Sequence, residues 1–372
     1  MNDETQRVRR GLGEKPPAAP NHPPAPEAGP APTLRRGLGE PAPATPSAPA
    51  PATSSAQATP ASGTAAASDA SPRRNPVVRW LVLAAGLLVL AALTIIGARV
   101  LIGVPAVQDF LDTYRGEYPP PDGAPVGFPV WLSWAHFLNA FFLVLIIKTG
   151  WQVRTQRKPP ASWVRDNTRW PRTKNPPRKI SITLWLHLAL DALWFLNGVA
   201  FVVLLIVTGH WVRVVPTSWE VVPNALSAAL QYASLEWPTE NGWVNYNSLQ
   251  QLAYFVTIFI AAPLAAATGI RMSGAWPQDW TRLSRLYPVE VARAVHFPVM
   301  LYFVLFLTAH VTLVLATGTL RNLNHMYGGQ DAVNWTGALI FAVSLLTMAG
   351  AWVAARPIVI APIAGLFGKV GR

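Results

Sequence analysis

The chain has 372 residues, of which 51% are hydrophobic and 13% are charged, and its formal net charge is +12. So few charges exclude an ordinary soluble domain. The absence of cysteine excludes disulfides, thiolate haem ligands and cysteine-held iron–sulfur or zinc sites. The positive charge is concentrated in loops beside apolar segments and no nucleic-acid motif accompanies it, so no nucleic-acid partner is expected.

Residues 1–75 are rich in Pro, Ala, Ser and Thr and have almost no large apolar side chains. A segment of this composition cannot bury a core, which predicts a disordered tail. The sequence RRGLGE occurs twice within it, at Arg9–Glu14 and Arg35–Glu40. The repeat indicates either duplicated low-complexity sequence or a short docking motif for a cytoplasmic partner.

Six later segments are each long and apolar enough to cross a bilayer core of about 30 Å as a helix. The predicted class is therefore an all-α membrane protein with six transmembrane helices. The predicted spans are residues 80–104, 130–150, 182–208, 249–270, 295–317 and 335–355.

The loops between these spans alternate in charge. Residues 151–180 and 271–293 are strongly basic, whereas 105–129 and 211–248 carry mostly acidic charge. The positive-inside rule therefore places both termini in the cytoplasm and predicts a multi-pass protein of the cell inner or plasma membrane. In the long outer loop, residues 226–237 are predicted to form an amphipathic helix at the membrane surface.

The second to fifth spans share an ending, because each apolar run closes on Thr-Gly. Glycine just past a helix end is ordinary capping chemistry, but four consecutive copies suggest one four-helix unit. We therefore predict a core over residues 130–318, an extra helix at 76–104, and a further helix with a basic tail at 319–372. The four copies are Thr149-Gly150, Thr208-Gly209, Thr268-Gly269 and Thr317-Gly318.

The fifth span, HFPVMLYFVLFLTAH, has a histidine at each end, His296 and His310. Fourteen residues of helix separate them by about 21 Å along the axis and by only about 40° in direction, so both face the same side. His136 lies at the depth of His310, and His187 at the depth of His296. These depths predict an outer pair, His136 with His310, and an inner pair, His187 with His296, as two bis-histidine sites for haem b.

His210 competes with His187 for the ligand position on the third span. His187 is preferred because it lies inside the apolar run LWLHLALD, whereas His210 follows the Thr-Gly ending. His210 is then an outer-surface residue or a proton acceptor for a quinol, and His325 is interpreted as a loop residue.

Several other polar residues are candidates for supporting roles. Asp191 is interpreted as a hydrogen-bond acceptor for a ligand histidine, a proton carrier for quinone chemistry, or an interfacial partner of a loop arginine. Lys148 is expected to extend to the interface. The candidates for haem propionates are Arg293, Arg271 and Arg178 on the inner face, where membrane anchoring is the alternative, and Arg213, Arg321 and Tyr327 on the outer face.

At these residues the sequence resembles the membrane di-haem cytochrome b subunits of formate dehydrogenase, Ni,Fe-hydrogenase and thiosulfate reductase. The resemblance covers residues 130–318 and rests on the histidine spacing, with WAHFLNAFFLVLIIKTG, LWLHLALDALWFLN, LQQLAYFVTIFIAAPLAAATG and HFPVMLYFVLFLTAH in the four helix positions. It implies haem ligation by His136, His187, His296 and His310.

The resemblance also implies electron transfer between a quinone, menaquinone or ubiquinone, and a redox partner that is often a molybdopterin enzyme. The chain would then be an electron-transfer subunit, in a possible homodimer, with no catalytic residues of its own. Its first helix inverts the core relative to the formate dehydrogenase subunit, so the partner face and the quinone face do not carry over. The alternative is a haem-free membrane scaffold or a proton-coupled transporter that uses the histidines for packing or proton transfer.

Overall fold

The computed structural model describes residues 75–168, 172, 175–237 and 241–371. All of these residues belong to the unit Pro72–Arg372. The predictions for residues 1–74, including both RRGLGE copies, lie outside the described residues.

Six helices are long and apolar enough to span a membrane, which confirms the predicted all-α membrane class. Each holds 19 to 28 residues, and 19 residues of helix already extend about 29 Å. The six are α1 (Pro76–Ile102), α3 (Val130–Thr155), α4 (Ile182–Val207), the segment Ser248–Met272, α9 (Val289–Ala316) and α11 (Thr336–Ala354).

The fourth span is interrupted by a π-helical turn. It consists of α6 (Ser248–Val256), the turn Thr257–Ala261 and α7 (Ala262–Met272). Pro263 has no N–H to donate to the preceding turn, so the regular ladder cannot continue through this point. The Thr257 hydroxyl lies 2.8 Å from the Tyr302 hydroxyl of α9, which joins the turn to the neighbouring helix.

The spans pack as two helix pairs, α3 with α4 and α7 with α9. A buried cluster of Leu143, Ala261, Val299 and Phe303 joins the pairs half-way along their length. Helix α11 packs on α3, while α1 contacts mainly two short helices, α2 (Pro105–Thr113) and α5 (Val221–Ser234). The core of four spans with one further helix at each end of the sequence therefore matches the predicted arrangement.

Short helices cover the ends of the spans on both sides. The predicted amphipathic helix begins earlier than expected, as α5 (Val221–Ser234), and it packs on α1 and α6. The buried Asn224 side chain accepts a hydrogen bond from the Gly116 amide, 3.0 Å away. The other short helices are α2 (Pro105–Thr113), α8 (Thr281–Leu286), α10 (Thr319–Leu323) and α12 (Pro357–Gly365), with a 3₁₀ turn at His210–Arg213 and a π turn at Asn324–Gly328.

The segment described in the sequence as a basic tail folds into a short helix and a strand. After α12, strand β3 (Gly368–Gly371) pairs antiparallel with β1 (Ser162–Arg165), which also pairs with β2 (Lys179–Ser181). The Trp163 indole donates a hydrogen bond to the Ala364 carbonyl, 2.9 Å away, over a core shared with Ile182 and Ile360. The C-terminal segment therefore braces the loop that leads into α4.

Candidate functional site: two opposed histidine pairs

The outer histidine pair joins α3 to α9. The ring centres of His136 and His310 are 6.2 Å apart, and the rings are inclined at 55°. The Nδ1 atom of His136 is buried without a hydrogen-bond partner. Tyr327 meets the His136 ring edge-on at 6.0 Å, and Tyr254 meets the His310 ring at 6.1 Å. Aromatic side chains thus enclose this pair on its outer side.

The inner histidine pair joins α4 to the other end of α9. The ring centres of His187 and His296 are 6.4 Å apart and the rings are nearly perpendicular, at 84°. The structure therefore brings all four histidines together in the two pairs that the sequence predicts, while their role as iron ligands stays a prediction.

The spacing within each pair fits a metal ion held from both sides. A metal–imidazole nitrogen bond is about 2.0 Å long and the ring centre lies about 1.1 Å further on, so two opposed ligands have centres about 6.2 Å apart. Both observed separations match that value. Within the described residues no three His, Asp or Glu side chains come together as a metal site. A pair suits a metal whose other four ligands come from elsewhere, as the porphyrin nitrogens of haem do.

Two threonines fix the orientation of the inner pair. The Thr149 hydroxyl donates to the Leu145 carbonyl, 2.8 Å away, and lies 2.9 Å from Nδ1 of His187. The Thr268 hydroxyl donates to the Leu264 carbonyl and lies 2.8 Å from Nδ1 of His296. Since each hydroxyl hydrogen is already used, each Nδ1 is the donor, and each Nε2 keeps the lone pair that a metal requires.

These contacts correct the interpretation of the Thr-Gly endings as helix caps. Gly209 and Gly318 do follow their helices and have positive φ angles of 74° and 141°. Gly150 and Gly269, by contrast, lie inside α3 and α7. A Cβ atom on Gly150 would lie 3.1 Å from Cε1 of His187, so glycine there makes room for the imidazole that the preceding threonine holds.

A buried aromatic residue separates the two pairs. Phe303 lies seven residues from both His296 and His310 on α9, and only 5% of its surface is exposed. Trp194 of α4 meets it edge-on, with ring centres 6.1 Å apart. The indole of Trp194 donates to Asn139 of α3, 2.6 Å away. The space between the pairs is thus filled by packed rings that the sequence prediction did not single out.

Asp191 lies beside a histidine of the inner pair. Its carboxylate is 3.6 Å from Nε2 of His187, whereas Thr149 contacts Nδ1. Within the described residues it forms no ion pair with an arginine. Its roles as a hydrogen-bond acceptor for a ligand histidine and as a proton carrier stay predictions.

The inner-face cations are arranged differently from the sequence prediction. Arg293 and Arg178 are exposed, while Nε of Arg271 donates to the Tyr287 carbonyl, 2.6 Å away. Arg154, which the prediction did not propose as a site residue, lies 4.0 Å from the ring centre of Phe297, the neighbour of His296. Its place at the end of α3 that is predicted to be cytoplasmic was the only available signal.

Lys148 binds a neighbouring segment of the protein. Its ammonium donates to the carbonyls of Trp352 and Ala355 at the end of α11, and the expectation that it extends to the membrane interface stays a prediction.

His210 lies apart from both pairs. Its Nδ1 is 2.9 Å from the Thr208 hydroxyl, its ring meets Trp131 edge-on, and its Nε2 is buried without a partner. Burial lowers the pKa of His210 below its usual value, and the nearby Arg213 guanidinium lowers it further. Both effects favour the uncharged imidazole, and its Nε2 meets no hydrogen-bond partner among the described residues.

A buried cluster closes the outer side, and it changes the interpretation of His325 as a loop residue. His325 is 4% exposed, stacks on Phe128 with ring centres 5.7 Å apart, and lies 2.8 Å from the Asp331 carboxylate. Arg321 forms a two-pronged ion pair with that carboxylate, at 2.8 and 3.1 Å. These two hydrogen-bond partners lower the pKa of Asp331 to about 2. Burial lowers the pKa of His325, against the opposing effect of the carboxylate.

Comparison with known proteins found no match for this chain among protein-family profiles, curated proteins or solved structures. The site is therefore interpreted from its own geometry.

Proposed function

We propose that this protein is an integral membrane cytochrome that holds two haem b groups and passes electrons between them. The supporting observation is the pair of opposed histidine couples, at opposite ends of one helix, with separations that suit metal ligation from both sides. His136 and His310 would hold the outer haem, and His187 and His296 the inner one. When bound, each haem supplies a one-electron ferric/ferrous couple.

The chain's own residues have three tasks under this proposal. Thr149 and Thr268 orient the inner histidines so that Nε2 of each faces the metal. By accepting a hydrogen bond from Nδ1–H, they also make each imidazole a better electron donor. Phe303 and Trp194 exclude water from the space between the sites. The four bundle helices keep the two pairs about 21 Å apart along α9.

The proposed electron donor or acceptor in the membrane is a quinone, menaquinone or ubiquinone. Quinol oxidation releases protons, so it needs a neutral acceptor, and the buried Nε2 of His210 is such an atom on the outer side. Asp191 is the corresponding candidate on the inner side.

The proposed partner is a molybdopterin or other redox subunit, which makes this chain an electron-transfer subunit. Under the charge rule both termini are cytoplasmic, in a cell inner or plasma membrane. A homodimer remains part of the proposal.

One observation favours a second function, proton-coupled transport or a haem-free scaffold. The Asp191 carboxylate faces Nε2 of His187, and a protonated Asp191 would share its proton with that nitrogen. Packed rings in general also lie about 4.5–7 Å apart. The two functions are distinguished by whether the purified protein contains haem.

The test is the reduced-minus-oxidised spectrum of the protein purified in detergent from haem-replete cells, with haem measured per chain. We expect two b-type haems, and one fewer in each of His310→Ala and His187→Ala. His210→Ala is the matched control, because it removes a histidine outside both pairs and should keep both haems. Folded protein without haem would overturn the proposal in favour of the second function.

A further inference from the structure

Arg213 is a buried charged side chain, and among the described residues no opposite charge pairs with it. It ends the 3₁₀ turn after α4, and only 3% of its surface is exposed. Its terminal nitrogens donate to the carbonyls of Gly127 and Gly242, each 2.6 Å away. Its Nε is buried and has no hydrogen-bond partner.

The surroundings of Arg213 are otherwise aromatic. The guanidinium carbon lies 5.0 Å from the ring centre of Phe128 and 4.6 Å from that of Tyr246. Within the described residues no carboxylate forms an ion pair with it. Carbonyls and ring faces offset only part of the cost of taking a charge out of water, so an anion would stabilise this buried guanidinium. Glu240 lies outside the described residues and is included in the test for that reason.

Ring contacts connect this guanidinium to His310, and a short stretch of chain joins its other neighbouring ring to the residue that contacts His136. Tyr246 contacts Tyr254 at 5.1 Å, and Tyr254 contacts His310 at 6.1 Å. On the other side Phe128 stacks on His325, two residues before Tyr327, which contacts His136. An anion beside Arg213 would therefore lie at the outer end of the outer histidine pair.

We propose that Arg213 binds a propionate carboxylate of the haem held by His136 and His310, an inference that rests on the proposed function. The free Nε–H, with a remaining hydrogen on a terminal nitrogen, forms the two-donor edge that suits a carboxylate. Arg321 cannot take this role, since Asp331 already occupies its donor edge.

The test is potentiometric titration of both haems in the intact detergent-solubilised protein. The His310→Ala variant should keep only the inner haem, so its single midpoint potential identifies that of the inner haem. The second midpoint potential of the unsubstituted protein then belongs to the outer haem. Arg213→Gln removes a positive charge beside the outer haem and so favours its ferric state. We expect the outer midpoint potential to fall by about 59 mV or more, a tenfold change in the ferric/ferrous ratio, with the inner potential unchanged.

Two controls separate this result from nearby charge effects. Arg321→Gln removes an outer-face arginine that is already paired and should leave both potentials in place. Glu240→Gln should also leave them in place, whereas a rise in the outer potential as large as the fall in Arg213→Gln would make Glu240 the partner and overturn the proposal. Unchanged potentials in Arg213→Gln would overturn it too.

Failure of the variant to fold and absence of haem from the protein are distinguished by two further measurements. If Arg213→Gln does not assemble, resonance Raman spectra of Arg213→Lys decide, because loss of the two-donor contact should shift the propionate bands of the outer haem. Unshifted bands overturn the inference. Wild-type protein without haem refutes the proposed function itself, a distinct result.

Discussion

A single hydroxyl decides which nitrogen of each inner histidine is free. The hydroxyl groups of Thr149 and Thr268 donate their hydrogens to carbonyls one turn earlier in their own helices. Each hydroxyl oxygen can therefore only accept a hydrogen bond from the imidazole. His136 has no such acceptor at Nδ1. The outer and inner sites therefore differ in the environment of their ligands, and two haems bound there should differ in potential.

Replacing Thr149 by valine tests this contact at nearly constant volume. Without the Thr149 hydroxyl, His187 keeps only the Ile146 carbonyl as an acceptor, so it is held less firmly and donates less electron density. We therefore expect a higher inner midpoint potential and about 10–100-fold weaker haem binding. Haem content and potentiometry measure both effects. Thr208→Val is the matched control, because Thr208 contacts His210 rather than a paired histidine. Equal effects of the two substitutions would contradict the assignment.

His325 links the outer cluster to pH. Burial lowers its folded pKa, so as the pH falls below about 6.5 the unfolded state takes up a proton that the folded state refuses, and stability is lost. Asp331, with its pKa lowered to about 2, adds stability above about pH 4 that is lost only towards pH 2. Near pH 6 the histidine therefore dominates.

We expect amide hydrogen exchange in residues 319–331, corrected for intrinsic rates, to be faster at pH 5.5 than at pH 7.5. His325→Gln removes the titrating group and should abolish the difference. If the difference persists in His325→Gln, another group is responsible.

At the scale of elements, a helix that continues past its apolar run misled the sequence prediction. Helix α3 extends five residues beyond Gly150, to Thr155, so this glycine serves packing rather than capping. The π turn in the fourth span likewise replaces a regular helix where Pro263 removes a donor.

Gly150→Ala and Gly269→Ala form a pair that tests this packing. Alanine normally stabilises a helix interior by about 1 kcal/mol relative to glycine. At Gly150 the new Cβ would lie 3.1 Å from His187, whereas at Gly269 it would lie 3.7 Å from His296, an ordinary contact.

We expect Gly150→Ala to lower the inner haem content and to change its ferric electron paramagnetic resonance signal. Gly269→Ala should keep both. Identical spectra for the two variants would show that the ring at position 187 has room to move.

At the scale of the whole molecule, the orientation in the membrane follows from charge alone and has a direct test. The chain has no cysteine, so a single introduced thiol reports one site. Glu220→Cys lies in a loop predicted to be outside, and Ala275→Cys in a loop predicted to be inside. Both positions are exposed.

In intact cells a membrane-impermeant maleimide should label position 220 at once and position 275 only after permeabilisation. The unsubstituted protein, which has no thiol, is the background control. The reverse pattern would invert the molecule and exchange its outer and inner sites.

Much of the architecture was predictable because it is local. Span lengths follow from apolar runs matched to bilayer thickness, and the common direction of His296 and His310 follows from 3.6 residues per turn. Depth along each helix then assigned the four histidines to two pairs. The span lengths, the shared direction and the depths each depend on residues that are close together in one segment.

Contacts between distant segments were decided by the tertiary structure. The threonine acceptors for His187 and His296 come from other helices, 38 and 28 residues away. The inner sheet joins strands more than 180 residues apart, and Arg213 is buried by loops that lead into α3 and α6. The sequence by itself determined which residues share a depth and a face. Only the packing of the whole bundle decided which polar atoms find partners and which remain free for a ligand.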